Sequence, residues 1–340
     1  MNAAPLRFMA TAPRGLADLA AREIRDCEVA DISERNAGVR FSGTLRSGYL
    51  ACLWSRVASR VLLEILDFEA PDTEGFYRGA CQLDWRAHLG PGATLACEFT
   101  GAHPTITHSQ FGALKLKDAI CDQLRAATGQ RPNIDLKRPA VRVVAHAAGT
   151  RVLLYVDLAG EGLHRRGYRV NSGEAPLREN LAAGILLRAG WPDMAAAGAA
   201  FLDPMCGSGT LPIEAALIAA GIAPGLRRDY WGFNGWRGHD AALWSELVAS
   251  ARGTARSTVP NVIRGSDRDA GAVRAAAANA ARAGVTELVQ FSVGDLAQAR
   301  PLGAAAGLVC TDPPYGARLE DAAAANAAHR ELGAVLREHF

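Results

Sequence analysis

The sequence contains no apolar run near the roughly 18 uncharged residues that a membrane-spanning helix needs, and its opening MNAAPLRFMATAPRGL holds no apolar core of an export signal. No CxxC pair occurs: the seven cysteines at 27, 52, 81, 97, 121, 206 and 310 are scattered and odd in number. That pattern speaks against a disulfide frame and a structural metal site, and it fits packed thiols in a reducing, cytoplasmic compartment. The phosphate-loop pattern GxxxxGK(S/T) is absent, as is the third glycine of the GxGxxG dinucleotide fingerprint. Lysine is nearly missing, with three in 340 residues.

What is present is a globular composition, 49% hydrophobic and 21% charged, over a length that calls for two or three domains. The net charge of +2 is unevenly spread: residues 1–99 carry −2, residues 100–170 carry +6 and residues 171–340 carry −2. Lys115, Lys117 and Lys137 all fall in the middle window, beside Arg125, Arg131, Arg138, Arg142, Arg151, Arg165, Arg166 and Arg169. A basic segment between near-neutral flanks predicts a polyanionic partner, because each neutralised phosphate releases counterions. The alternative is a solvated helix face with a chance excess of charge.

Periodicity divides the chain further. LRFMAT and VRFSGT read as strands around a helical GLADLAAREIRD, and GYLACLWSRVASRVLLEILDFEA places Leu50, Leu53, Trp54, Val57, Val61 and Leu62 near helical spacing. Residues 93–99, 140–147 and 151–158 read as strands, with a helix over QFGALKLKDAICDQLRAATG that stops at Gly129. Two α+β units are therefore expected in the front half. From 171 onward a helix (about 175–190) precedes short apolar strands alternating with helices, the pattern of a parallel, doubly wound sheet. Residues 222–258 interrupt that rhythm as an insertion rich in Gly, Trp and Arg, whose Trp231, Phe233 and Trp236 suit either burial or stacking on a base or cofactor. His103 and His108 lie near the basic helix, and His164 in LHRRGYR suits a linker hydrogen bond.

The chemistry concentrates at strand ends. Asp203-Pro204-Met205-Cys206-Gly207-Ser208-Gly209-Thr210 follows a strand and opens a helix. Its glycines permit close approach of a ligand, Asp203 accepts from a ligand amine or hydroxyl, and the helix start offers unpaired N–H groups. Asp267, Asp295 and Asp312 end three further strands, and in a doubly wound sheet these tips meet along one crevice. Asp267 suits a ribose diol and Asp295 an exocyclic amine, although each alone more often caps the next helix, as Asp269 does in this reading. Asp312-Pro313-Pro314-Tyr315 adds a carboxylate, a carbonyl without a competing N–H, and a ring on which a base stacks.

These residues resemble class I S-adenosylmethionine-dependent methyltransferases with an (Asn/Asp)-Pro-Pro-(Tyr/Phe) motif, which modify amino nitrogens. The resemblance implies that Asp203, Pro204, Cys206, Gly207, Ser208, Gly209 and Thr210 form the methionine-end loop. It makes Asp267 the ribose acid, Asp295 the adenine-side acid, and Asp312, Pro313, Pro314 and Tyr315 the catalytic clamp on the target amine. No metal is required by such in-line transfer. ITHSQFGALKLKDAICDQLRAATGQRPNID with the following strands is similar to a THUMP RNA-binding domain behind a ferredoxin-like domain, and YWGFNGWRGHDAALW is similar to the bacterial 23S ribosomal RNA guanine-N2 methyltransferases.

The fold expected is thus α/β: a Rossmann-like methyltransferase domain over residues 174–340, preceded by α+β ferredoxin-like (1–68) and THUMP (69–160) domains and a linker (161–173). Lys115, Lys117, Lys137, Arg138, Arg165 and Arg166 are the expected RNA contacts. The chain ends in the helix after the fourth strand, where a complete class I sheet has three more, so the catalytic domain is expected to be incomplete. Guanine-N2 methylation of 23S rRNA is the expected function. Its rivals are the same chemistry on tRNA and an RNA-binding protein without catalysis; an amino-directed DNA methyltransferase leaves the basic front module unexplained.

Overall fold

The computed structural model describes residues 4–169, 177–303, 306–314 and 322–340. The chain divides into two compact units, one of Met1–Leu163 with Arg228–Val248 and the other of His164–Arg227 with Ala249–Phe340.

The first unit contains β1 (Leu6–Thr11), α1 (Ala17–Arg25), β2 (Asp31–Arg35), β3 (Gly38–Gly43), α2 (Leu45–Trp54), β4 (Arg60–Glu69), α3 (Thr73–Ala80), β5 (Thr94–Ala102), α4 (Ser109–Thr128), β6 (Asn133–Ile134), β7 (Val141–Ala148) and β8 (Arg151–Asp157). Its eight strands form one continuous sheet in the order β2-β3-β1-β4-β8-β7-β5-β6. The two α+β units expected from periodicity share this sheet, because β4 pairs antiparallel with both β1 and β8.

That pairing corrects the helical reading of residues 48–70. Helix α2 stops at Trp54, and the apolar run VLLEIL lies in β4. A run apolar on both faces satisfies a central strand as well as a buried helix, so periodicity does not separate them. Here the turn decides: the half-buried Glu23 carboxylate accepts the N–H groups of Arg56 and Val57 and the Ser55 hydroxyl. Those bonds hold residues 55–57 in an extended bend that a continuing helix cannot make. Helix α4 does end at Gly129, in the left-handed region at φ +73°.

Residues Arg228–Val248 of the aromatic insertion belong to this first unit, and its two ends to the second. Trp231 and Phe233 are buried, Phe233 stacks within 4.9 Å of His239, and Tyr49 packs 4.7 Å from Phe233. The Tyr49 hydroxyl lies 2.6 Å from His239 Nδ1 and accepts the Asp240 N–H at 3.0 Å. The Trp236 indole N–H donates to His88 Nδ1 at 2.9 Å. Tyr49, Trp231 and Phe233 are core, Trp236 is half-buried, and the Tyr49 hydroxyl and Trp236 indole N–H are engaged internally. His103 is likewise structural, buried with Nε2 2.8 Å from the Ala70 carbonyl.

The segment is admitted by two glycines in contact. A Cβ on Gly160, at φ +71°, would stand 2.7 Å from the Gly232 nitrogen, and Gly232 donates its N–H to the Leu158 carbonyl at 3.1 Å. Gly160→Ala therefore combines left-handed strain with overpacking against backbone and is expected to cost about 2–4 kcal/mol. Urea unfolding of the full chain checks this; a cost below about 1 kcal/mol would mean the contact yields freely.

The second unit contains α5 (Glu179–Arg188), α6 (Trp191–Ala196), β9 (Ala200–Asp203), α7 (Thr210–Ala219), α8 (Ala241–Thr254, within which the division falls), β10 (Ile263–Asp267), α9 (Ala270–Ala283), β11 (Gln290–Val293), β12 (Gly307–Val309) and α10 (Ala322–His339). Four parallel strands run in the order β11-β10-β9-β12. Trp191, Phe201, Leu211, Ile213 and Ile263 fill the core on one face, while Leu332 and Val335 of α10 pack with Leu202, Leu296 and Val309 on the other. The strand order reverses between β9 and β12, so the ends of those two strands form the switch point at which doubly wound sheets bind ligands.

Candidate active site

Parallel pairing sets the site. With Gly265 opposite Asp203 and Asp267 opposite Val293, β9, β10 and β11 end along one edge, and the Cys310 N–H bonds to the Leu202 carbonyl to bring the segment after β12 beside them. Asp203 is buried at the tip of β9, and its carboxylate accepts the Met205 N–H at 3.2 Å. Burial first, with the nearby Asp267 and Asp312 adding to it, pushes its pKa up to about 7. The Thr311 hydroxyl, buried and outside ordinary hydrogen-bond geometry, still favours the anion, as does the Met205 N–H. Burial also raises Asp312 above the usual carboxylate range.

Asp267 is already oriented. One carboxylate oxygen accepts the Gly207 N–H at 2.9 Å and the other accepts the Asp269 N–H at 2.9 Å, while the Cys206 N–H bonds to the Ser266 carbonyl. The loop from Pro204 to Gly209 is thereby strapped to the end of β10. Its two glycines serve different ends. Gly207, at φ +51°, faces open space, whereas a Cβ on Gly209, at φ +83°, would meet Ala276 Cβ and the Phe291 ring at 2.9 Å. Open approach for a ligand holds at Gly207; Gly209 is required by packing against α9 and β11. Ser208 is half-buried, Thr210 starts α7, and the thiol of Cys206, buried and pushed well up, stays protonated.

Asp295 stands one strand further out, and its side chain caps Ala297 at 3.0 Å in a reciprocal box with Gln298. Gly294 donates to the Asp267 carbonyl oxygen, which ties this turn to β10. Ser266, Gly294 and Asp295 line a groove of about 480 Å³ that Gly207, Asp267 and Asp312 do not line. Asp269 caps α9 through the Gly271 N–H. Pro313 is half-buried and Pro314 exposed; Tyr315 lies outside the described residues.

The basic residues divide by environment. In the first unit Lys115 sits over the Tyr77 ring, Lys117 pairs with Asp118 at 2.7 Å, and Arg138 pairs with Asp229 and Glu161. Lys137 is exposed. In the second unit Arg165 is exposed, but Arg166 is 2% exposed and lies 3.6 Å from the fully buried Glu214, so its charge is committed to the interior rather than to a phosphate. The sequence reading missed that partner; Glu214 sits one helical turn after Thr210, a buried acid in the apolar TLPIEAALIA.

A parallel sheet of this order, carrying a glycine loop after its first strand and an Asp-Pro-Pro run after its fourth, defines a class I methyltransferase fold. The chain belongs to the RMKL-like methyltransferase domain family, which matches residues 166–340. An RlmL ferredoxin-like domain matches residues 7–62 and a THUMP domain residues 70–157. The chain is 47% identical over 335 residues to the ribosomal RNA large subunit methyltransferase K/L of Methylococcus capsulatus, covering 98% of this chain and 45% of that protein. It is 46% identical to the protein of the same name from Syntrophotalea carbinolica, covering 99% and 48%. The chain thus spans about half the length of the curated relatives it matches. Among solved structures, a predicted N6-adenine-specific DNA methylase from Listeria monocytogenes superposes with a TM-score of 0.86 at 30% identity, over 99% of this chain and 87% of that one. SMU.472, a putative methyltransferase complexed with SAH, gives 0.84 at 28% identity over the same shares.

Proposed function

We propose that this chain transfers a methyl group from S-adenosylmethionine to guanine N2 of 23S ribosomal RNA, in the cytoplasm. The observation that carries the chemistry is the nearness of Asp267, at the end of β10, and Asp312, beyond β12, to Asp203 between them, with the Gly207 N–H already bonded to Asp267. The names of the curated relatives support the ribosomal substrate, and the THUMP match supports RNA binding. The SAH bound by SMU.472 supports the donor. No helix among the described residues is long and apolar enough to cross a membrane.

The residues fit such a donor. Gly207 leaves space above the loop, the first N–H groups of α7 have no intrahelical partner for a carboxylate to displace, and Asp267 presents its outer lone pairs to a diol. When bound, the donor supplies an electrophilic methyl on a sulfonium. Asp312, half-buried, accepts a hydrogen from the target amine and so aims the nitrogen lone pair, and the backbone of Pro313 and Pro314 adds carbonyls without competing N–H groups. Positioning supplies the rate. In the RNA, the guanine must leave its stack to reach this edge.

The deciding experiment incubates the full chain with labelled donor and separate pools of unmodified 23S rRNA and tRNA. Label in N2-methylguanine of 23S rRNA is expected; label in tRNA alone, or RNA binding without donor binding, overturns the reading. Lys137→Glu should weaken RNA binding and reduce the slope of log K against log salt by about 1, with donor affinity unchanged. An unaltered slope would remove Lys137 from the RNA surface.

A further inference from the structure

Two chains of hydrogen bonds reach the glycine loop from either side of Gly209, and both start at Tyr168-Arg169. On one side Arg282 Nε donates to the Tyr168 carbonyl at 2.7 Å, Arg282 Nη2 donates to Asn279 Oδ1 at 2.8 Å, and Asn279 Nδ2 donates to the Ser208 carbonyl at 3.0 Å. On the other side Arg169 Nη2 donates to the Thr210 hydroxyl at 2.5 Å and to the Leu177 carbonyl at 3.0 Å, with Glu179 3.5 Å from its Nε. The Tyr168 hydroxyl is itself anchored on Glu214 at 3.1 Å. Asn279 is 1% exposed, on the face of α9 that packs against the loop.

The Ser208 carbonyl and the Gly209 N–H belong to one planar peptide. Fixing the carbonyl therefore fixes the direction of that N–H, which closes the loop onto the Cys206 carbonyl at 2.8 Å. From this geometry we infer that Asn279 is a positioning residue for the donor loop, with Arg169 as its counterpart on Thr210; the inference rests on the donor reading above. Asn279, 1% exposed, acts through the Ser208 carbonyl. It sets the orientation in which the loop and the first turn of α7 meet the methionine end of the donor.

Asn279→Asp isolates this role, since it keeps the size and the acceptor for Arg282 but replaces the donor to Ser208 with a carboxylate. Calorimetry on the full chain with S-adenosylhomocysteine at pH 8 should show at least a tenfold weaker affinity than the unsubstituted chain. In the same variant, amide exchange over residues 206–211 should speed about tenfold. A ratio near one at pH 8, or unchanged exchange, overturns the assignment. Failure of the donor reading looks different, because the unsubstituted chain would then bind no S-adenosylhomocysteine. Amide exchange alone decides in that case, and unchanged exchange overturns the role.

Discussion

Asp312→Ala should lower methyl transfer by roughly 10²–10³-fold, the usual cost of removing one preorganised polar group at a reacting centre, while leaving affinity for S-adenosylhomocysteine within about threefold. Asp312 lies beyond β12 on the side of the switch point away from Asp267, so under the proposed function its loss removes the acceptor for the target amine and leaves the loop strapped to β10 untouched. Asp312→Asn retains an acceptor oxygen without the charge and should keep activity within about tenfold of the unsubstituted chain. Turnover and donor affinity falling together in Asp312→Ala would place the residue on the donor side instead.

Asp203→Asn should produce the opposite kind of change, a stabilised chain with a weakened site. Burial raises Asp203 from 3.8 to about 7. Between those values the folded chain keeps a proton that the unfolded chain has lost, so stability falls as the pH rises from about 4 to about 7 and is level above that. At about 1.4 kcal/mol per pH unit the whole effect is at most roughly 4 kcal/mol. The amide cannot ionise, yet it still accepts from the Met205 N–H. Urea unfolding should therefore show Asp203→Asn gaining stability over the unsubstituted chain as the pH rises from 4.5 to 8, and donor affinity falling because a neutral amide attracts a ligand amine less. Equal stability at pH 8 would mean that the carboxylate is better solvated than its burial implies.

Both effects involve residues that were legible in the sequence because each carries chemistry at a recognisable place, the end of an apolar strand. The tips alone did not reveal division of labour. Gly207 and Gly209 look alike in Cys-Gly-Ser-Gly, but only contact with Ala276 and Phe291 shows that one serves packing and the other leaves room for a ligand. Asp295 and Asp267 likewise match as strand-end acids, yet one is engaged as a cap and the other holds the loop. Arg166 looked like Arg165 until its pairing with Glu214 became visible.

The alternation of strands and helices in the second unit, the family resemblance and the acidic strand ends are all legible in the sequence, because strand and helix periods and short motifs are local and survive in one dimension. Tertiary structure decided the rest. VLLEIL became strand β4 because Glu23, more than thirty residues earlier, fixes the turn before it and β1 and β8 flank it. The aromatic middle of the insertion packs in the first unit because Tyr49 and His88, nearly 150 residues or more away in sequence, supply its partners. Burial and hydrogen-bond pairing between distant residues depend on which elements meet, and no local pattern encodes that.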